Sequence, residues 1–242
     1  MSYTTKKCYY FDRPGPDNTE DACRIAIERA REDGISTVVV ASTSGATARI
    51  FSEALQGTGI RLVVVTHVVG FSTPGAWEFS PDVQRELDAQ GVRVVTGTHA
   101  LSGLERALSR SPRVGGGSRT EAIAEALRRT VAVGLKVAVE CVLIAADQGA
   151  IPIDDEVVAV GGTISGADTV CVIRPAHTAS FFDLQVREIA AMPRDRGYGS
   201  HCAPRGVRAH GTAAGPLACR HDDRRPLRPG HTDPPLLRVI LR

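Results

Sequence analysis

Lysine is nearly absent from this chain: only three of its 29 basic residues are Lys, at positions 6, 7 and 136. None ends a glycine-rich loop in the G-x-x-x-x-G-K-[ST] manner, which excludes a P-loop nucleotide triphosphatase. Long apolar runs are missing too. No stretch of 18 apolar residues exists, so no transmembrane helix is expected. The opening MSYTTKKCYYFD lacks the apolar core of a signal peptide, and a cytoplasmic protein is expected. The six cysteines, at 8, 23, 141, 171, 202 and 219, form no CxxC pair. Neither a zinc site nor a disulfide framework is indicated, and the first four read as buried free thiols. Aromatics make up 5%, with a single tryptophan, Trp77. What is present is ordinary: 242 residues, 43% hydrophobic and 23% charged, enough for one domain with a sizeable core.

The net charge of +2 averages two unlike pieces. Residues 193–242 hold 10 Arg and 4 Asp but no Lys or Glu, a balance of +6, and 7 of the 14 prolines. Residues 1–192 therefore carry 19 basic and 23 acidic side chains, a balance of −4. The tail shows no apolar period until its last residues, PLLRVILR. A basic arm for nucleic acid is one reading. The reading set ahead of it is a tail that does not fold. Arg, Pro, Ala, Gly and His without Lys or Glu is what GC-rich DNA yields when read out of frame. Such a composition cannot bury enough apolar surface to offset ordering entropy. The expectation is a domain over 1–192 and a disordered or frameshift-derived Arg/Pro-rich tail over 193–242, with no nucleic-acid partner.

The body alternates strands and helices. A short strand at 7–12 precedes PGPDNTEDACRIAIERAREDG, where Asn18 reads as an N-cap and Gly34 as the helix stop. STVVVA, 36–41, is a continuous apolar run, as in a strand buried on both faces of a parallel sheet. Helices at 45–56, 81–90, 100–110, 119–131 and 133–149 alternate with strands at 60–66, 92–96, 156–160, 169–174 and 181–190. This pattern predicts an α/β fold of three layers with a mostly parallel, doubly wound sheet.

In such sheets ligands bind beyond the carboxyl ends of the strands. The loop Ser42-Thr43-Ser44-Gly45-Ala46-Thr47 follows a strand and opens a helix. Its hydroxyls, its glycine and the helix amides suit an anion, although Ser42 or Ser44 as a plain helix cap accounts for it equally well. A second loop, Gly161-Gly162-Thr163-Ile164-Ser165-Gly166-Ala167-Asp168-Thr169, suits a backbone anion nest or a tight hairpin. His67 and, after Thr98, His99 each follow a strand and point to the same edge. Glu140 and Asp147, seven apart on one helix, share a face. Lys136 stands four residues before Glu140, which makes an internal ion pair the alternative to a catalytic dyad. Trp77 is a ring either for stacking on a ligand or for packing under a loop.

The stretches PGPDNTE, VVVASTSGATA, VVVTHVVGF, THALSGLERA, GLKVAVECVLIAADQGAIP and VGGTISGADTVCVIRPA together resemble the C-terminal α/β domain of pyruvate kinases. They are closer still to archaeal and bacterial proteins in which that domain stands alone. The likeness covers roughly residues 9–193, and the tail beyond matches nothing in the family. VVVTHVVGF departs by lacking a second polar or histidine residue after His67. In pyruvate kinases, the resemblance implies, this domain binds an effector while the kinase site lies in a separate barrel. With three lysines and too short a chain for a barrel of about 250 residues, no pyruvate kinase activity is expected, nor a membrane partner. The resemblance implies a phosphorylated small-molecule ligand, of the FMN or sugar-phosphate type, and admits a homo-oligomer. On this reading Ser42, Thr43, Ser44, Gly45, Ala46, Thr47, His67, Thr98, His99, Gly161, Gly162, Thr163, Gly166 and Asp168 form the ligand site, with no metal. The alternative is a small flavin-dependent enzyme of unknown reaction, with His67 or His99 as proton donor.

Overall fold

The computed structural model describes residues 2–113 and 115–195. The expectation for the tail lies, from residue 196 onward, outside the described residues.

Alternation along the valine runs decides the layers. The chain begins with β1 (Tyr9–Phe11), a 3-10 turn at Pro16–Asn18, α1 (Thr19–Asp33), β2 (Thr37–Ala41) and α2 (Ala46–Leu55). It continues through β3 (Arg61–Thr66), α3 (Pro81–Ala89), β4 (Arg93–Thr96), α4 (Gly103–Arg110), α5 (Arg119–Thr130) and α6 (Val133–Asp147). It closes with β5 (Val157–Gly161), β6 (Thr169–Arg174) and β7 (Gln185–Pro193). The sheet order is β1-β7-β6-β5-β2-β3-β4, parallel except for β6. Val38 and Val40 face α1 and α2, whereas Val39 faces α6 on the other side. Both faces are covered, and this is why β2, β3, β5 and β6 read as apolar runs without polar alternation. The three-layer, mostly parallel α/β fold expected from the sequence is the one found.

Local differences have local causes. Gly34 does end α1, in the left-handed region at φ 67°. Asn18 does not cap it: the Asn18 amide donates instead to the carbonyls of Arg13 and Gly15, because a proline-led 3-10 turn already occupies the helix entrance. The last strand starts later than 181, since Thr178–Asp183 forms a second 3-10 turn. It also runs further, to Pro193, because Phe11 offers it a partner. Cys8 is exposed, unlike Cys23, Cys141 and Cys171. Trp77 stacks on Phe79 at 5.5 Å and donates its indole N–H to the His67 carbonyl at 3.2 Å, so it packs under its loop.

The end of β7 yields a measurable boundary. Pro193 pairs with Phe11, and Arg194 N–H donates to the Phe11 carbonyl at 2.7 Å. A chain ending at Met192 loses both contacts; one ending at Asp195 keeps them. The shorter chain is expected to melt below the longer one, at ~2–4 °C per kcal/mol lost. Equal melting temperatures in calorimetry would show that this corner of the sheet contributes nothing.

Candidate functional site

Parallel strands bring the loops after β1, β2, β3, β4 and β5 to one edge of the sheet. β2 lies between β5 and β3, and the chain leaves β2 toward β3 and leaves β5 toward β6. The crevice at this switch point opens into a cavity of about 800 Å³. That lies within the ~300–1,000 Å³ usual for small-molecule sites.

The loop after β2 forms one wall. Ser42 is buried; its Oγ accepts Ala48 N–H at 3.3 Å, and its own N–H donates to the Val65 carbonyl at 3.0 Å. It therefore tethers the helix start to β3. Thr43 and Ser44 are exposed and line the cavity with Ala46 and Thr47. Among the described residues no protein group accepts the N–H of Ala46 or Thr47, the first two residues of α2. Those amides sit at the positive end of the helix dipole. Gly45 has a different task. Its φ is 100°, and a Cβ there would come within 2.7 Å of Val83, so it serves the packing of α3 and is not part of the lining.

The histidines meet. His67 and His99 have ring centroids 5.1 Å apart, with Phe71 at 3.9 Å from the first and 4.9 Å from the second. His67 Nδ1 lies 2.7 Å from Glu78 Oε2. The Ser72 hydroxyl first, and His67 second, hold the Glu78 carboxyl below the usual carboxylate range. Burial pushes the His99 pKa down, with Glu140 opposing and His67 assisting. Desolvation is the first cause; α4 begins only at Gly103, after the Ala100–Ser102 segment. Thr98 is exposed beside Gly103 and lies outside the lining.

The β5–β6 loop is a hairpin, and it divides the expected residues. Gly162 and Gly166 line the cavity. Ile164 between them is fully exposed at φ 67°, a conformation that β-branched residues rarely adopt. Gly161 is buried against α6, where a Cβ would come within 2.2 Å of the Gly134 carbonyl oxygen. Thr163 and Asp168 both lie outside the lining, joined through the Thr163 backbone N–H. The Asp168 carboxylate is fully buried and accepts Gly15 N–H and Thr163 N–H, each at 3.0 Å, and the Thr169 hydroxyl at 2.8 Å. Its oxygens are engaged inside the fold and do not line the cavity.

The opposite wall was mostly invisible in the sequence. Arg106 and Arg128 reach the cavity while pairing with Glu121 at 3.2 Å and Glu125 at 2.7 Å. At sequence level each looks like an ordinary solvated charge on an amphipathic helix. Lys136 and Glu140 form the internal ion pair that their spacing offered as an alternative, and Glu140 Oε1 also accepts Leu101 N–H at 2.9 Å. Asp147 stands almost two turns away and joins neither. It accepts from Thr178 N–H and the Thr178 hydroxyl and lies 3.2 Å from His177 Nδ1, pinning the turn before β7.

Among known families, that of the pyruvate kinase alpha/beta domain matches residues 20–173. Similar solved structures include a pyruvate kinase from Cryptosporidium parvum, with 17% identity and a TM-score of 0.35 over 65% of this chain. A Cryptosporidium parvum pyruvate kinase in complex with ADP gives 14% identity and a TM-score of 0.32 over 71% of this chain. In both cases the match spans 23% of the pyruvate kinase.

Two outcomes are expected from this geometry. Asp168→Ala leaves the buried Gly15 N–H without its acceptor, at about 1–3 kcal/mol, and the part-buried Thr163 N–H as well. It should lower stability far more than Thr98→Ala, and urea midpoints for the two variants check this. For His99, a lowered folded pKa means that the unfolded chain binds a proton which the folded chain refuses. Stability is therefore complete above the ordinary histidine value of 6.5 and declines as pH falls through it. His99→Asn should flatten the melting-temperature profile between pH 7 and 5. The decline from Glu78 comes lower, below its ordinary value of 4.5, and should persist in the variant. Superimposable profiles for the two proteins above pH 5 would remove burial of His99 as the cause.

Proposed function

The chain belongs to the pyruvate kinase alpha/beta domain family, and from that premise we propose that it binds a phosphorylated small molecule at the carboxyl edge of its sheet. The observation that carries the reading is the start of α2. Two amides that no group among the described residues accepts belong to residues that, with Thr43 and Ser44, line a cavity of about 800 Å³. A phosphate accepts several N–H and O–H donors at once, and a helix N-terminus favours its charge. Arg106 and Arg128 stand across the cavity. The whole length of a pyruvate kinase is not represented here, and no pyruvate kinase reaction is assigned to this edge.

The residues fit FMN as well as a sugar phosphate. The His67, Phe71 and His99 rings offer a face to a planar ring, and the α2 amides offer a seat for its phosphate. Bound flavin would supply reversible hydride acceptance. The part of this chain would be to hold the phosphate, shield the ring and present His99 as an uncharged hydrogen-bonding group near pH 7. This is the second reading, a flavin-dependent enzyme, and the ring cluster is what favours it.

Titration with inorganic phosphate, FMN and glucose 6-phosphate, followed by melting temperature, tests the proposal. A ligand at a hundred times its Kd should stabilise by about 2.7 kcal/mol. Ser44→Glu places a carboxylate at an exposed lining position and should abolish that gain. The ligand-free stability should change by no more than ~0.5 kcal/mol. No stabilisation by any of the three, or undiminished stabilisation in the variant, would overturn the reading. Flavin absorbance that bleaches on adding a reduced metabolite would favour the enzyme over the binder.

A further inference from the structure

We propose that Lys136 forms an imine with a phosphorylated aldehyde or ketone whose phosphate is held at the start of α2. The inference rests on the phosphate reading above and adds a covalent step to it.

Lys136 is 3% exposed, yet it lines the same cavity as Ser44 and Thr47. The other lysines are placed elsewhere: Lys6 pairs with Asp33 and Glu188, and Lys7 is exposed and lies outside the lining. Lys136 is a poor phosphate anchor, because Glu140 pairs with its ammonium and would repel an approaching anion. The same pairing suits proton transfer. Glu140 is fixed in place by Leu101 N–H on its other oxygen. Burial lowers the Lys136 pKa, with Glu140 opposing, so the amine form is more accessible than in water. A buried lysine beside a positioned carboxylate is the equipment of Schiff-base chemistry.

The step balances without oxidant or reductant. Glu140 takes a proton from the ammonium. The freed nitrogen pair forms a C–N bond to the carbonyl carbon, and the carbonyl π pair moves to oxygen, which takes the proton from Glu140. Nitrogen then gives a second proton to Glu140, which passes it to the hydroxyl; water leaves with the C–O bonding pair as the nitrogen pair forms C=N. Ammonium and carbonyl thus become protonated imine and water, and Glu140 ends as it began. Open-chain sugar phosphates belong to this ligand class; FMN, which has no free aldehyde or ketone, does not.

Pyridoxal 5′-phosphate is the probe, with borohydride to reduce any imine to a stable secondary amine and peptide mapping to locate it. Only three lysines exist in the chain, so Lys6 and Lys7 are internal controls. The adduct is expected on Lys136 in large excess over both, suppressed by inorganic phosphate, and much weaker with unphosphorylated pyridoxal. K136R keeps the charge and cannot form the imine; it should lose the adduct at an unchanged melting temperature. If K136R does not fold, the wild-type map alone decides. Label spread evenly over the three lysines, or absent from Lys136, overturns the imine. Label on Lys136 that neither phosphate nor the missing phosphoryl group affects overturns the ligand class. FMN-induced stabilisation with no Lys136 adduct sinks this inference while leaving the phosphate reading standing.

Discussion

The sheet edge depends on one carboxylate. Asp168 lies at the start of β6 with no exposed surface and gathers donors from two loops and its own neighbour: Gly15 after β1, Thr163 in the hairpin, and Thr169. A second bond reinforces the same junction, from Ala167 N–H to the Thr19 hydroxyl at 3.0 Å. Gly166 then sits so close to Pro16 that a Cβ would come within 2.4 Å of its Cα. The hairpin and the turn before α1 are thereby locked together, although they are about 150 residues apart in the chain. That lock adds to the packing of α1 on β5 and β6 and sets the hairpin tip against the turn before α1.

The charges around the cavity follow a different logic from its amides. Arg106, Arg128 and Lys136 each already hold a carboxylate, on α5 or α6. An incoming anion must compete with those carboxylates, so the cations alone make a weak attraction. Among the described residues the N–H groups of Ala46 and Thr47 have no protein acceptor. On the proposed reading an anion would seat first at those backbone amides, with the paired cations tuning its orientation. This ordering also accounts for a phosphate-type loop that needs no lysine: fixed dipoles replace a mobile charge.

How much of this was legible follows from the range of each interaction. Apolar runs such as Val38–Val40 announced buried strands, because burial on both faces leaves no polar alternation. The Ser42–Thr47 loop announced itself because strand, loop and helix are contiguous. Gly45 and Gly162 look alike in sequence. One has its back against Val83 and the other closes on the Gly166 carbonyl, distinctions that exist only once distant segments meet. A polar loop places Asp168 at the ligand by sequence, and nothing in the sequence marks Gly15 as its partner. Arg106 and Arg128 were missed because an arginine on an amphipathic helix gives the same pattern whether it faces solvent or a cavity.

Helix α6 carries the last consequence. It is apolar almost all round, and twelve of its fifteen residues are buried. In such a helix an ion pair is weak evidence for stability, since desolvation of both charges offsets their attraction. Two well-packed aliphatic residues could replace the ion pair itself, but the buried Leu101 N–H would lose its acceptor, at about 1–3 kcal/mol. The pair faces the cavity, and Glu140 also holds the segment that follows His99 through Leu101 N–H. The Coulombic attraction is replaceable; the acceptor that holds the chain beyond His99 is not, and an aliphatic pair would leave no amine beside a carboxylate at the cavity.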